Sequence, residues 1–171
     1  MNISQQQFKL RMPSPRDGAS VFHLVSQCPP LDINSMYCYL LQCTHFADTS
    51  VAAVQSESTD EEVLGFISGY LIPERKNTLF IWQVAVSEAA RGRGLALAML
   101  QHILERLHCG DVSYLETTIT EPNRASWALF ESLSKKLNTT LEKSIMFDRD
   151  DHLDSDHDTE YLARLGPFKS I

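Results

Sequence analysis

The sequence predicts a single α/β domain, of the α+β type, built around a mixed and mostly antiparallel central sheet. Strand and helix patterns follow one another in the order β-α-α-β-β-β-α-β-α-β. Three consecutive strands form a meander, whereas the later strand–helix–strand unit is a crossover that makes its two strands parallel. The 171 residues suit one domain, which we place over 1–171 with its core at about 8–165.

The chain begins with a strand and a helix. Phe8 to Met12 alternates apolar and basic residues, which is the period of a strand. Ser14-Pro15-Arg16-Asp17 is typical of a helix start, because it combines a Ser cap, a Pro at the first position and an acid three residues after the cap. The helix is expected to reach about Gln27, where Cys28-Pro29-Pro30 ends it.

A second helix follows the proline pair. Either Asp32 or Asn34 can cap it, and the helical pattern continues to Thr44. Its spacing predicts an apolar stripe formed by Met36, Tyr37, Leu40 and Leu41.

The meander comes next. We predict strands at Val51–Val54, Val63–Ile72 and Leu79–Val86, joined by a polar, acidic turn over 56–62 and by a hairpin loop over Pro73–Asn77. The third strand is nearly all apolar, as expected of a strand that is covered on both faces.

The second half alternates helices and strands. A helix from Leu95 to His108 carries one apolar stripe, a β-branched strand spans Ser113–Thr120, and Asn123 caps a helix over Arg124–Lys136. A strand at Leu141–Phe147 and an acidic loop over 148–158 follow, and 159–162 remains an open candidate for a last strand. The stripe of the first helix consists of Leu95, Met99, Ile103 and Leu107.

Composition excludes several classes of function. A net charge of −7 argues against nucleic acid as a partner, and no apolar run approaches the ~18 residues of a membrane span. Residues 1–8 are polar and lack the apolar centre of a signal peptide, so we expect a cytoplasmic protein. The four cysteines show neither a Cys-x-x-Cys pair nor zinc spacing, and we expect no metal.

The strongest motif is Arg91-Gly92-Arg93-Gly94-Leu95-Ala96, which joins a predicted strand to a predicted helix. Glycines let the backbone approach an anion closely, arginines donate to phosphate, and a helix N-terminus adds partial positive charge. Neither the dinucleotide Gly-x-Gly-x-x-Gly spacing nor a Gly-Lys-Ser/Thr phosphate loop is present.

Read as Arg-x-x-Gly-x-Ala, this loop resembles the pyrophosphate loop of the GCN5-related N-acetyltransferases (the GNAT superfamily), whose element order the chain also shares. The resemblance implies that family's fold, with helices on both faces of the sheet and a parallel strand pair splayed apart by a β-bulge. It also implies acetyl-coenzyme A as cosubstrate and an amine that attacks the thioester directly. The cofactor-binding residues that it implies are Val84, Ala85, Val86, Arg91, Gly92, Arg93, Gly94, Leu95, Ala96 and Asn123.

Three further segments are similar to the L-2,4-diaminobutyrate acetyltransferases of ectoine synthesis. They are Pro30 to Phe46, Phe80 to Val86 and His157 to Leu162, and the likeness extends over roughly 8–165. The implied reaction is acetylation of the 4-amino group of a small diamine. By resemblance alone, the implied assembly is a homodimer.

An amine nucleophile needs a base, since an ammonium with a pKa near ~10 is almost wholly protonated at neutral pH. We consider Glu116, Glu160 and His157 as catalytic candidates, with Asp32 as a further base. Carboxylates also suit the substrate's 2-ammonium, and amides or hydroxyls suit its carboxylate. The substrate-binding candidates are Asp32, Asn34, Tyr37, Trp82 and Thr118.

The chain departs from the superfamily at one position. A tyrosine that can protonate the leaving thiolate is replaced by Phe130, which cannot donate a proton. Another acid, a water molecule or unassisted departure of the thiolate must then serve. Two alternatives stay open: an acetyltransferase for a different small amine or polyamine, and a coenzyme A-binding sensor without catalysis.

Overall fold

The computed structural model describes residues 8–55 and 62–169. In this part of the chain, seven strands form one sheet in the order β1-β2-β3-β4-β5-β7-β6. Only the β4–β5 pair is parallel, and the other neighbouring pairs are antiparallel. The strands are β1 (Phe8–Arg11), β2 (Val51–Gln55), β3 (Val63–Ile72), β4 (Arg75–Val86), β5 (Tyr114–Thr120), β6 (Leu141–Phe147) and β7 (Glu160–Leu165).

Helices cover both faces of the sheet, as predicted, and each face has its own apolar core. One core packs α1 and α2 against the sheet around Tyr39 and Phe66, and the other packs α3 and α4 around Met99 and Phe130. The helices are α1 (Gly18–Ser26), α2 (Met36–His45), α3 (Leu95–Leu104), α4 (Arg124–Lys136) and α5 (Arg149–His152).

The predicted splayed pair is present, and a bulge in β4 lies beside it. Along β3, Ser68 pairs with Gln83 and the next residue, Gly69, pairs with Ile81, so Trp82 is the extra residue. The parallel ladder with β5 ends at the pair Ile81 and Thr117. Beyond that pair, β4 continues beside β3 while β5 continues beside β7, and a cleft opens between them.

The entrance to α1 is stabilised by a buried ion pair. The predicted acid, Asp17, accepts a hydrogen bond from the Ser14 backbone N–H at 2.6 Å and two from Arg11 at 2.8 Å each. Burial raises the pKa of Asp17, but the bonds from Arg11 and Ser14 outweigh it, so the pKa lies below the ordinary value. The carboxylate therefore stays ionised and ties β1 to the start of α1.

Several predicted boundaries need correction. The cap of α2 is Ser35, whose hydroxyl accepts from the Cys38 N–H at 3.1 Å, and neither Asp32 nor Asn34 has this role. The hairpin turn is only Pro73–Glu74, because β4 pairs with β3 from Arg75 onward. The 159–162 segment does begin a strand, β7.

Two predicted stripes are also wrong in part. Helix α3 ends at Leu104, and Leu107 lies in a later helical turn with 98% of its surface exposed. In α2 the buried face is formed by Tyr39, Gln42 and Cys43, not by the predicted stripe. The acidic segment contains the short helix α5, and the predicted turn at 56–62 falls almost wholly outside the described residues.

Within residues 8–55 and 62–169, no helix has the length and apolar character to cross a membrane. The same residues contain no group of three or more His, Cys, Asp or Glu side chains placed to hold a metal ion. All four cysteines are free thiols.

Candidate active site

The cleft between the diverging strands β4 and β5 has a volume of about 590 Å³. Its walls come from the loop before α2, from β4 just after the ladder ends, from β5, from the start of α4 and from the segment that leads into β7. Of the residues predicted from the sequence, it brings together Asp32, Asn34, Trp82, Val84, Thr118, Asn123, His157 and Glu160.

The remaining predicted residues do not line this cleft. Glu116 and Tyr37 lie elsewhere, and the Arg91–Ala96 loop lies at the N-terminus of α3. The Ala85 side chain is buried in the core beneath α1 and α2. The Val86 carbonyl accepts hydrogen bonds from Arg91 Nε at 3.1 Å and from the Cys28 thiol at 3.4 Å.

Glu160 is the carboxylate whose surroundings best suit a base. It begins β7, is partly buried, and faces the cleft with Thr118, Asp32 and His157. Burial raises the pKa of Glu160 above the ordinary value, and the charges of Asp32 and Asp158 raise it further. A hydrogen bond from Thr118 and the charge of His157 act in the opposite direction. A raised pKa brings a carboxylate closer to the basicity that proton abstraction near neutral pH requires.

Glu116, one of the predicted catalytic candidates, lies outside the cleft and is engaged by arginines, and these contacts favour a structural role. It is 1% exposed, and its two carboxylate oxygens accept from Arg75 Nη1 and Nη2 at 2.6 and 2.9 Å. Arg164 lies 3.4 Å away on the neighbouring strand β7. A buried carboxylate that accepts two hydrogen bonds from one guanidinium and pairs with a second is poorly placed to take a proton from a substrate in the cleft.

Tyr37 does not line the cleft, whereas Tyr39, which the sequence analysis did not single out, bonds a residue that does. Tyr37 is 68% exposed, whereas Tyr39, two residues later on α2, is fully buried. The Tyr39 hydroxyl donates to Gln83 Oε1 at 3.2 Å. Gln83 lies next to Trp82 in β4 and also lines the cleft. A single amide within the apolar run Leu79–Val86 was the available signal.

Trp82, Asp32 and His157 form the more open part of the cleft. Trp82, the bulged residue of β4, is 44% exposed, which is unusual for a large aromatic residue in an inner strand. Asp32 and His157 are exposed, and neither side chain serves as a helix cap. The structure therefore removes the alternative that Asp32 only begins α2.

Comparison with known proteins identifies the family. The family profile described as "Acetyltransferase (GNAT) family" matches residues 19–134. The chain is 53% identical over 162 residues to the L-2,4-diaminobutyric acid acetyltransferase of Methylotuvimicrobium alcaliphilum, covering 95% of this chain and 92% of that protein. It is 47% identical to the enzyme of the same name from Vibrio cholerae, covering 94% and 90%.

The chain belongs to the acetyltransferase (GNAT) family.

Solved structures agree with this assignment. Diaminobutyrate acetyltransferase EctA from Paenibacillus lautus, solved in complex with its substrate L-2,4-diaminobutyric acid and coenzyme A, matches with a TM-score of 0.87 and 34% identity, covering 96% of this chain and 98% of that one. Ard1 from Thermoplasma volcanium, at 18% identity and a TM-score of 0.71, shares the fold. The predicted membership of the diaminobutyrate acetyltransferase group is thereby confirmed.

The Arg91–Ala96 loop of this acetyltransferase has the backbone that an anion cradle needs. Gly92 and Gly94 have φ values of +72° and +73°, in the left-handed region that favours glycine. Gly94 is the N-cap of α3, and a Cβ atom built on either glycine meets nothing within 4 Å. The loop is thus an exposed turn over a helix N-terminus, with open space for an anion beside it.

Asn123 and Phe130 lie on the α4 side of the cleft. The Asn123 side chain caps α4 by accepting from the Ser126 N–H at 3.1 Å. Phe130 is 1% exposed and forms part of the cleft wall with its apolar ring. Ser126, which the sequence analysis did not single out, lines the same wall.

Proposed function

We propose that the protein transfers the acetyl group of acetyl-coenzyme A to the 4-amino group of L-2,4-diaminobutyrate, giving the 4-N-acetyl product. The observation that carries this proposal is the pairing of two carboxylates, Asp32 and Glu160, within one cleft at the splayed strands. One carboxylate can bind an ammonium while the other accepts a proton. This arrangement lies in a chain whose relatives bear the name of that activity.

The described residues fit the cosubstrate. The Arg91–Ala96 loop suits the pyrophosphate, since its glycines allow close backbone approach and its arginines carry positive charge. The edge of β4 beyond Ile81 has no described strand beside it on the cleft side, so its N–H and C=O groups can bond amides as an added strand would. Coenzyme A supplies an activated thioester, and the protein supplies position and proton transfer.

Glu160 acts as the base in this proposal. Its raised pKa lets it take a proton from the 4-ammonium, directly or through water, and the amine then carries the lone pair that attacks the thioester carbonyl. The Thr118 hydroxyl is a suitable donor to the ionised Glu160 carboxylate and limits the rise of its pKa. Backbone N–H groups on the free edge of β4 are suitable donors for the oxygen on which negative charge develops.

Asp32 fixes the other end of the diamine. A carboxylate keeps the 2-ammonium protonated and therefore not nucleophilic, so only the 4-amine can react. Trp82 walls the four-carbon chain, and the Asn34 amide is a donor for the substrate carboxylate. His157 stands at the open side of the cleft beside Glu160 and balances part of the negative charge there.

In this scheme the attacking nitrogen gives its second proton to water as the tetrahedral intermediate collapses, and the leaving thiolate takes a proton from water in turn. Phe130 occupies the position at which the superfamily often has a tyrosine, and its buried ring has no proton to donate. A coenzyme A thiolate is a good leaving group at neutral pH, and the cleft is open to solvent. No protein acid is therefore required at this step.

The wider setting follows from the proposed reaction. The acetylated product would feed ectoine synthesis in the cytoplasm and so contribute to protection against osmotic stress.

We also propose a homodimer. It is supported by Ile145, Met146 and Phe147, which are exposed on the edge strand β6, where apolar surface and free backbone groups favour pairing with a second copy. Light scattering coupled to size exclusion tests this assembly.

The decisive experiment is turnover of an amine panel with acetyl-coenzyme A, with the product assigned by NMR. We expect L-2,4-diaminobutyrate to be the preferred acceptor and the acetyl group to lie on the 4-amine. Diaminopropionate, one carbon shorter, should react about 100-fold more slowly, because a displacement near 1 Å misplaces the amine. Equal turnover of spermidine, lysine and diaminobutyrate, or acetylation mainly of the 2-amine, would refute the proposal.

A further inference from the structure

We infer that Gln83 is a positioning residue for substrate recognition. Its side-chain amide, together with the Tyr39 hydroxyl, holds the segment Leu31–Asn34 (the Asp32 loop) at a fixed distance from β4. This inference rests on the proposed function, since it explains how Asp32 is held where it can bind the 2-ammonium of the diamine. It concerns residues that do not need to touch the reacting atoms.

The contacts form a chain across the cleft wall. Gln83 Nε2 donates to the backbone carbonyl of Asp32 at 2.9 Å, and Gln83 Oε1 accepts from the Tyr39 hydroxyl at 3.2 Å. The Tyr39 oxygen in turn accepts from the backbone N–H of Asn34 at 3.2 Å. The loop is therefore linked to the Gln83 amide at two positions on either side of Ile33, directly at the Asp32 carbonyl and through the Tyr39 hydroxyl at the Asn34 N–H.

The direction of each bond is determined by chemistry. The Asp32 carbonyl can only accept, so the nitrogen of the Gln83 amide must face it and the amide oxygen must face Tyr39. The Asn34 N–H can only donate, so the Tyr39 hydroxyl uses its lone pair there and its proton toward Gln83. Only an amide at position 83 satisfies both neighbours, because a carboxylate would oppose the Asp32 carbonyl and an apolar side chain would bond neither.

Burial makes this chain rigid. Tyr39 is 0% exposed and Gln83 is 8% exposed, so water cannot readily replace either bond. By contrast, Asp32 and Ile33 are exposed, and the segment that carries them lies between the end of α1 and the Ser35 cap. Gln83 also follows the bulged Trp82 directly, so one residue joins the two walls that are proposed to contact the diamine.

The first test removes one oxygen atom. In Tyr39→Phe the ring remains in the core, while the Asn34 N–H and the Gln83 amide lose their shared partner. We expect kcat/KM for the diamine to fall about tenfold, with the dissociation constant of coenzyme A within about twofold of the parent value. Tyr114→Phe is the matched control, because Tyr114 lies at the far end of β5 from the cleft, beneath the Arg164 guanidinium, and it should leave both constants unchanged.

The second test asks whether Gln83 acts through Asp32. In the parent, Gln83→Leu removes both amide bonds, and we expect kcat/KM for the diamine to fall by about tenfold or more. In an Asp32→Ala background the loop carries no carboxylate to position, although its backbone carbonyl remains. There, adding Gln83→Leu should lower kcat/KM by a clearly smaller factor than in the parent, about threefold or less, because only the Asn34 amide of this loop is still displaced.

The outcomes separate this inference from the proposed function. An equal loss from Gln83→Leu in both backgrounds, or an equal weakening of coenzyme A binding, would assign Gln83 a general structural role and overturn the inference. If Gln83→Leu does not fold, as judged by its thermal melt, the same cycle with Tyr39→Phe decides. If the parent enzyme acetylates another amine, the proposed function fails, and the cycle measured with that amine still tests the positioning role.

Discussion

The hydroxyl of Thr117 donates a hydrogen bond to the carbonyl oxygen of Ile81 at 2.9 Å, and these two residues form the last pair of the parallel ladder between β4 and β5. A side chain on one strand thus bonds the backbone of the other at the point where the strands separate. The bond is buried, and it fixes where the cleft begins.

We predict that Thr117→Val destabilises the protein by about 1 kcal/mol, because the Ile81 carbonyl loses its partner while the side-chain shape is kept. The cleft should also become less well defined, with lower kcat/KM for both substrates. Urea denaturation measures the first effect. Thr44→Val is the matched control, since the exposed Thr44 hydroxyl bonds only the Leu40 carbonyl within α2, and its loss should change stability by less than about 0.5 kcal/mol.

Glu160→Gln should lower kcat by about 10²- to 10⁴-fold, the contribution typical of a general base. In the parent, activity should rise with pH as Glu160 ionises, and because its pKa is raised, this acidic limb should lie above the range of an ordinary carboxyl. The limb should disappear in the variant.

The stability of the same variant gives an independent check of the direction in which the Glu160 pKa is shifted. A carboxyl whose pKa is higher in the folded than in the unfolded state penalises folding once pH exceeds both values. Glu160→Gln should therefore be at least as stable as the parent at neutral pH. A variant that is strongly destabilised, or one that keeps the acidic limb, would contradict the assignment of Glu160 as base.

Glu116→Gln is expected to behave in the opposite way. It weakens the hydrogen bonds from Arg75 and removes the ion pair with Arg164, so stability should fall by about 1–3 kcal/mol, while kcat stays close to the parent value below the melting transition. Thermal melts and steady-state kinetics on one preparation suffice. A 100-fold loss of kcat without loss of stability would restore Glu116 as a catalytic candidate.

Gly94→Val should weaken coenzyme A binding by about tenfold or more, because a branched side chain fills the space into which the backbone N–H groups point. A φ of +73° is also unfavourable for valine, at about 1–2 kcal/mol, but nothing nearby clashes, so the fold should persist. Calorimetry measures the binding. Ala89→Val, an exposed change in the preceding turn, should bind normally.

Phe130→Ala should act through packing alone. Removing a ring that is 1% exposed costs about 3–5 kcal/mol, and the melting temperature should fall accordingly. The pH dependence of kcat should keep the parent's shape, since no titrating group is removed. A lost ionisation in that profile would show that this position takes part in proton transfer.

Local signals in the sequence were sufficient for much of the fold. The bounds of α4 are predictable because the helix begins directly after Asn123, a residue type that caps helices. The bounds of β3 and β6 are predictable because each apolar pattern ends at residues typical of turns. The splayed pair was expected only from family resemblance. Its location after Ile81 depends on which residue of β4 is bulged, and no local pattern determines that.

The differences from prediction arise from two geometric quantities that the local sequence does not determine: the rotation of a helix about its axis and the register between strands. The predicted buried face of α2 is about two residues out of place along the helix, and each residue turns a helix by about 100°. Tyr39 is therefore buried and Tyr37 exposed. Similarly, no feature near Glu116 in sequence reveals that Arg75 and Arg164 lie beside it, because those contacts follow from strand register. The role proposed for Gln83 depends on its bond to Tyr39, which lies in a helix packed on the sheet and far away in sequence.

The strand order has a consequence for biosynthesis. β7 is the last described strand in the chain, yet it lies between β5 and β6 and carries Glu160 at its first position. Until β7 has been synthesised, β6 has no neighbour in the sheet and the cleft lacks Glu160, the proposed base. Premature termination or proteolytic trimming before residue 160 would therefore leave the Arg91–Ala96 loop present but the sheet without β7. We expect such a fragment to be inactive, with activity appearing only when synthesis of this strand is complete.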